Sequence, residues 1–299
     1  VTYTVTVSAK GFTPIPTSRQ AAVQTGVETK NVNFQMDPLH TFSSMLSLVS
    51  VPYDYASVDA ADLLSIPAAD RTNGAFLLAG WDLQKYQYYP QTVAKTLQMG
   101  RGYFMAYKTN IPLSTEGVSA DTTRPFDIPL TIGWNLIGNP FTTDMDWTKV
   151  MVLDGGALKS FADAVASGAI SSALYSFSGG GYILDYKLAT WRGYWVRAYR
   201  NVVLKIDPVN GRYGRAARVA TSRAVLRGSN GWSVNLRAEA GGLADADNRF
   251  GVASGASNGF DGYKVEKPPI FGDRYVYLTF DHSDWGDKSG GYGVDVRAA

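Results

Sequence analysis

The residues best suited by type to chemistry lie near the end of the chain, where Asp245, Asp247, Asn248 and Asp261 set hard oxygen donors among glycines and small residues. Clustered carboxylates of this kind suit calcium. Their spacing does not follow the twelve-residue helix-loop-helix ligand pattern, and Asx side chains in loops ordinarily cap turns. Turn capping is therefore the first expectation and calcium the second; no other cofactor is expected.

A hydrolytic reading needs a nucleophile, a base and an orienting acid. His282 stands between Asp281 and Ser283, with Asp284 beside them. Such triads are assembled from distant positions around a structured nucleophile turn, and the chain has no G-x-S-x-G motif. A surface histidine at a strand end is the expectation. Asp144, Asp146 and Asp185 could in principle supply a glycosidase acid and base, but nothing sets their separation, and ordinary loop aspartates are expected. Ser178-Gly-Gly-Gly181 lies between aromatic strand residues and is not followed by Lys-Ser/Thr, so it reads as a hairpin turn rather than a phosphate loop. The absence of cysteine removes thiolates and disulfides, and two histidines, His40 and His282, leave little for zinc or general-base work. No enzymatic activity is expected.

The 299 residues hold 13% aromatics, 31 glycines and only 18% charged side chains, a composition of short aromatic strands joined by glycine turns. A formal charge of +2 gives no field to gather nucleic acid. No run is long and apolar enough to span a bilayer as a helix. The chain opens on Val1 without Met or a signal-like segment, and is expected to be a processed form or a segment of a longer protein.

The elements follow from period-2 alternation and turn residues. Val1 to Val7 alternates as a strand, and Thr29 to Met36 contains another. An internal duplication is read from three ordered blocks. Leu48-Val-Ser-Val-Pro-Tyr53 matches Leu136-Ile-Gly-Asn-Pro-Phe141 at an offset of 88. Leu83 to Tyr86 matches Leu174 to Phe177, and Arg101-Gly-Tyr-Phe104 matches Arg192-Gly-Tyr-Trp195, both at 91, with Asn110 and Leu113 falling on Asn201 and Leu204. Pro52 and Pro140 mark strand ends. Helix candidates are Asp59 to Leu64 and Trp147 to Ser167. A basic linker from Gly211 to Arg223 precedes strands at Trp232 to Ala238, Tyr275 to Phe280 and Tyr292 to Arg297. The expected fold is all-β, with tandem small β-sandwich or Ig-like domains that include the duplication. Residues 1–37 supply partial sandwich strands, 38–122 and 123–213 the two repeat units, and 214–299 a C-terminal β domain completed by another chain.

Gly133-Trp-Asn-Leu-Ile-Gly-Asn-Pro-Phe141 and Trp191-Arg-Gly-Tyr-Trp-Val196 resemble a repeat of secreted bacterial surface proteins, in which a GWNLIGNP strand precedes a GYWV strand. The stretch from Val1 through Gly11-Phe12 to Val32-Asn-Phe34 resembles the closing strands of carboxypeptidase regulatory-like, or Cna-B-type, sandwiches. The region holding Asp245 to Gly251, Lys267-Pro-Pro269 and Asp284-Trp-Gly286 looks like one found near the ends of such surface proteins. These resemblances imply an extracellular or cell-surface β-rich module and carry no catalytic residue.

The expected function is that of a non-catalytic structural protein, a subunit or segment of a surface filament, layer or adhesive stalk. Its assembly residues would be Val1, Tyr3, Val5 and Val7 together with Tyr292, Val294 and Val296, uncapped strands that pair with a neighbouring copy to build a homo-polymer. The alternative is a carbohydrate-binding accessory region of a secreted polysaccharide-degrading enzyme. Its basis is the supply of aromatics for stacking on a glycan: Trp81, Tyr86, Tyr88, Tyr89, Tyr103, Tyr107, Trp191, Tyr194, Trp195 and Tyr199. Along Tyr103 to Ala106 successive side chains point to opposite faces, and one of the two sets is expected to form the core. Trp134, Leu136, Trp195 and Leu204 are expected to be buried.

Overall fold

The computed structural model describes residues 2–8, 12–15, 18–22, 35–82, 84–178, 180–212 and 231–299. Nearly every regular element is a strand, and the protein is an all-β assembly of small, mostly antiparallel sheets with sandwich character. Val1, most of Thr29 to Met36, Leu83 and most of the basic linker fall outside the described residues.

At the N-terminus, Thr2–Thr6 (β1) pairs with Ser18–Ala22 (β3), and Phe12–Ile15 (β2) with Gln35–Pro38 (β4). β1 thus has a partner in its own chain along one edge. Tyr3 is 55% exposed.

The first unit contains His40–Phe42 (β5), Ser47–Ser50 (β6) and Tyr53–Asp54 (β7). Two short helices follow, Ala60–Leu63 (α1) and Ala68–Thr72 (α2). Asp59 caps α1 by accepting from the Ala61 N–H at 2.9 Å. Then come Leu77–Asp82 (β8), Lys85–Tyr88 (β9), Thr92–Lys95 (α3), Gly102–Ala106 (β10), Ile111–Leu113 (β11) and Val118–Ser119 (β12). The main sheet has the order β6-β10-β8-β9, with β5-β11 and β7-β12 as separate pairs.

The second unit opens with Phe126–Leu130 (β13), Gly133–Gly138 (β14), Met145–Asp146 (β15), Met151–Asp154 (β16) and Ala157–Lys159 (β17). It continues through the helix Phe161–Ala166 (α4) to Ile170–Ser178 (β18), Gly181–Asp185 (β19), Lys187–Leu188 (β20), Gly193–Ala198 (β21) and Val202–Ile206 (β22). Its main sheet has the order β14-β21-β18-β19, the same path through the chain as in the first unit; a second sheet runs β13-β22-β16-β17. The stretch Trp147 to Ser167 is not one helix: a single 3-10 turn at Trp147–Lys149 gives way to the β16-β17 hairpin before α4. The interruption is Gly155-Gly156, both at positive φ (58° and 87°), the backbone of a two-residue hairpin turn.

Positions 88 or 91 residues apart make equivalent bonds. Asn110 accepts from the Ser44 N–H and Asn201 from the Ile132 N–H, each at 2.9 Å. Tyr103 Oη accepts from the Gln98 N–H and Tyr194 Oη from the Ala189 N–H, again at 2.9 Å. The contact between the units is itself reciprocal. Val49 bridges Arg192 while Ile137 bridges Arg101, and the Ser50 N–H donates to Trp191 O while the Gly138 N–H donates to Gly100 O, both at 3.0 Å. One sequence block departs from this pattern: Gln84 to Tyr86 leads out of a turn into β9, whereas Leu174 to Phe177 lies inside β18.

Both faces of each main sheet are covered. Tyr103 and Met105 of β10 pack within the first unit, and Tyr194 and Val196 of β21 within the second. The alternate residues Phe104 and Trp195 meet in a third cluster with Leu48, Trp134, Tyr175 and Phe271. Neither set along Tyr103 to Ala106 is therefore a ligand-facing row. Trp134, Leu136, Trp195 and Leu204 are all buried.

The C-terminal sheet contains Gly231–Ala240 (β23), Leu243–Ala253 (β24), Lys264–Glu266 (β25), Phe280–Asp281 (β26) and Gly291–Ala298 (β27), in the order β23-β24-β27-β25 with β26 also on β27. β27 runs parallel to β24 and antiparallel to β25 and β26. The expectation of an uncapped terminal strand at Tyr292, Val294 and Val296 is thus corrected: β27 is internal, and Tyr292 and Val296 are fully buried. Among the described residues β23, the long strand at one end of this sheet, pairs with β24 alone, while the short β25 and β26 lie at the other end. Tyr275 to Thr279 is not a strand. Within it the backbone of Leu278 bonds side chains instead of a ladder, its N–H donating to Asp245 Oδ2 at 2.8 Å and its carbonyl accepting from Lys267 Nζ at 2.9 Å.

Candidate functional site

The charged residues singled out in the sequence do not converge on one site: most bond within their own unit, and Asp247 reaches from the C-terminal sheet to the second unit. Asp245, at 1% exposure, receives an ion-paired hydrogen bond from Lys267, equally buried. Its carboxylate also accepts from the Leu278 N–H, and its Oδ1 from Asn248 Nδ2 at 2.9 Å. Burial pulls the Lys267 ammonium down, with Asp245 opposing the shift. A buried carboxylate so occupied by one ammonium and two N–H donors has little capacity left for a cation.

Asp247 and Asp261 do not join it. Asp247 Oδ2 accepts from the Leu184 N–H of β19 at 3.0 Å, tying the C-terminal sheet to the second unit. Asp261 closes its own loop, accepting from Ser257 N–H, Tyr263 N–H and Lys264 Nζ. Among the described residues no group of three or more His, Cys, Asp or Glu side chains is arranged to hold a metal. Turn capping describes Asp261, and ion pairing describes Asp245.

His282 is buried rather than at the surface, which corrects the sequence expectation. Its ring stacks on Trp285 at 3.5 Å between centroids, and Nε2 lies 3.3 Å from Asp295 Oδ2. The Ser283 hydroxyl donates to Asp281, not toward the imidazole. The imidazole thus lies near two acids, Asp295 and, at 3.8 Å from Nδ1, Asp284, but the serine is bonded to Asp281 and not to the ring, so no nucleophile is set against the base. Asp144 pairs with Lys187 at 2.8 Å and accepts from the Thr190 N–H, Asp146 caps the turn at Thr148, and Asp185 accepts from the N–H groups of Tyr186 and Lys187. Each of these aspartates is a turn or strut residue.

The junction has further members that sequence reasoning missed. Arg197 of β21 pairs with Glu266 of β25 at 2.8 Å. Burial pushes the Glu266 carboxyl up, opposed by Arg197. Pro269 O accepts from the hydroxyls of both Tyr86 and Tyr182, one from each unit. Phe271 stacks on Phe104 at 3.9 Å and meets Tyr86 edge-on. The only sequence signal for this plug is the Lys267-Pro-Pro269 run, because two adjacent prolines cannot continue a ladder.

Beside these struts lies a cleft of about 320 Å³ between the second unit and the C-terminal sheet. Phe161, Tyr186 and Tyr263 supply aromatic walls, and Asp247, Arg249 and Asn235 supply polar ones. Burial raises the Asp247 carboxyl. Set against protein-family models, curated proteins and solved structures, the chain gives no match.

Proposed function

We propose that this chain is a non-catalytic structural module of an extracellular surface protein, a rigid segment of a stalk or layer. The observation that supports this best is the fate of its charged groups. The carboxylates with the strongest claim to chemistry are committed to intramolecular partners, most within their own unit, while Asp247 with the Leu184 N–H and Glu266 with Arg197 tie the C-terminal sheet to the second unit. The plug at Pro269 and Phe271 touches both units at once, as expected of a part built to suppress motion between domains.

The reading includes descent of the two units from one duplicated ancestor. Its support is the equal path of the two main sheets and the reciprocal bonds across their contact. Such exchange of identical contacts is the mark of an isologous pair, here held in one chain. Strand pairing between copies, if the module assembles, falls to β23, at one end of its sheet, and not to β27.

Labelling of source cells with antibody raised against residues 38–299 tests location: intact cells should label, and labelling only after permeabilisation overturns the proposal. Calorimetry tests rigidity. One cooperative transition is expected across the units, and well-separated transitions would mean independent beads on a string.

A further inference from the structure

We propose that the cleft between the second unit and the C-terminal sheet is a binding site for one ring of a neutral saccharide. The inference goes beyond the structural reading and does not depend on it. A volume of about 320 Å³ falls at the lower end of the range of small-ligand sites. The cleft is built by segments far apart in sequence, with Tyr186 and Phe161 from the second unit facing Tyr263, Val265 and Val294 of the C-terminal region.

Its chemistry selects the ligand class. Aromatic and aliphatic walls suit the C–H faces of a pyranose. Asp247 uses Oδ2 for the Leu184 N–H, and its Oδ1 accepts no hydrogen bond among the described residues, which leaves an acceptor for sugar hydroxyls. Arg249 spends Nε on Asn235 at 2.8 Å, and its terminal nitrogens make no bond among the described residues, which leaves donors. Thr148 and Ser172 add hydroxyls to the lining. One carboxylate and one guanidinium cancel, so the site has no net charge to attract an acid or an amine. A purely apolar ligand would bury Asp247 Oδ1 and the terminal nitrogens of Arg249 without satisfying them, which is costly.

Gly262 lines the cleft, and a Cβ added there meets nothing within 4 Å. A side chain can therefore start there without a clash at its Cβ, which makes Gly262 the position for a plug. The test titrates the full chain by calorimetry with glucose, galactose, mannose and N-acetylglucosamine, then with cellobiose, to separate a free sugar from a chain end. L-Phenylalanine serves as the competing zwitterion. Saturation at one site per chain by a neutral sugar is expected, with at least tenfold weaker binding in both Gly262→Trp and Asp247→Asn and an unchanged far-UV spectrum. If Asp247→Asn does not fold, Gly262→Trp decides. The proposal is overturned if no sugar saturates, if phenylalanine binds best, or if a sugar binds equally to wild type and the plugged variant.

Discussion

Gly102 and Gly193 stand face to face across the contact between the two units. A Cβ built on Gly102 would lie 3.3 Å from the Gly193 Cα and 2.6 Å from Ile137 O, and one built on Gly193 would lie 3.2 Å from the Gly102 Cα and 2.7 Å from Val49 O. The approach of two backbones, not a turn conformation, is what requires glycine at both positions.

Gly102→Ala and Gly193→Ala are therefore each expected to destabilise by about 1–3 kcal/mol through overpacking. The double variant should fall short of the sum, because either change alone already parts the same two strands. Urea unfolding of the four proteins measures this; two neutral single variants would reject the close approach.

Trp195→Ala should cost about 3–5 kcal/mol. The ring is fully buried and meets Trp81 at 4.9 Å and Trp134 at 6.1 Å, both edge-on, so its loss opens a void that touches both units. Trp232→Ala, by contrast, removes a ring that is 54% exposed on β23 and should change stability by about 0.5 kcal/mol or less. Equal effects of the two changes in the same urea assay would contradict this burial pattern.

Lys267→Met strands the buried Asp245 carboxylate and should destabilise by about 3–5 kcal/mol. Asp245→Asn combined with Lys267→Met removes both charges and should recover much of that loss, since no buried charge is left unpaired and the single amide oxygen still accepts from one of the two donors, Asn248 Nδ2 or the Leu278 N–H. Additive losses in the double-mutant cycle would show that the two residues act separately.

His40 stacks on Trp191 at 4.5 Å, and burial lowers its imidazole to about 4. Between that value and the ordinary 6.5 the unfolded chain binds the proton more readily than the native one. The stability contributed by neutral His40 is thus full above 6.5 and lost as the pH falls through about 4. His40→Phe should flatten the decline in urea midpoint across that window. Lower down, Asp154, held to about 2 by hydrogen bonds from Arg200 and Lys159, keeps its contribution until the pH drops below the usual carboxylate range. A variant curve parallel to wild type between pH 6.5 and 4 would assign the decline to other groups.

β23, at one end of its sheet, carries Val234, 43% exposed, and Trp232, with no proline along its length. Sedimentation velocity should show concentration-dependent self-association of wild type that Val234→Lys weakens, as a charge blunts edge pairing. Association unaffected by the lysine would place the contact elsewhere.

Much of the strand content was legible from alternation alone, because a pleat sends neighbours to opposite faces whatever lies beyond them. The strand at Thr2–Thr6 was readable in this way, whereas those at Gly133–Gly138 and Gly193–Ala198 were read from the duplicated blocks and their likeness to a surface-protein repeat, with Trp134 and Trp195 expected to be buried as they are. The Gly-rich hairpin at Ser178 to Gly181 and the cap at Asp59 were equally local. What alternation cannot state is how many sides a sheet has covered. Tyr103 and Phe104 looked like one core set and one outer set, and both are buried because a second unit and Phe271 close the outer face. Likewise Val294 and Val296 have the pattern of an edge strand, and only the distant partners β24 and β25 make β27 internal. Asp245 and His282 have ligand-like chemistry in sequence. Their roles were decided by Lys267 and Trp285, whose approach depends on the path of the whole C-terminal sheet. Local pattern determines which backbone states are cheap, whereas charge partners and sheet edges are settled by contacts between residues far apart in the chain, and these exist only once the units have closed on one another.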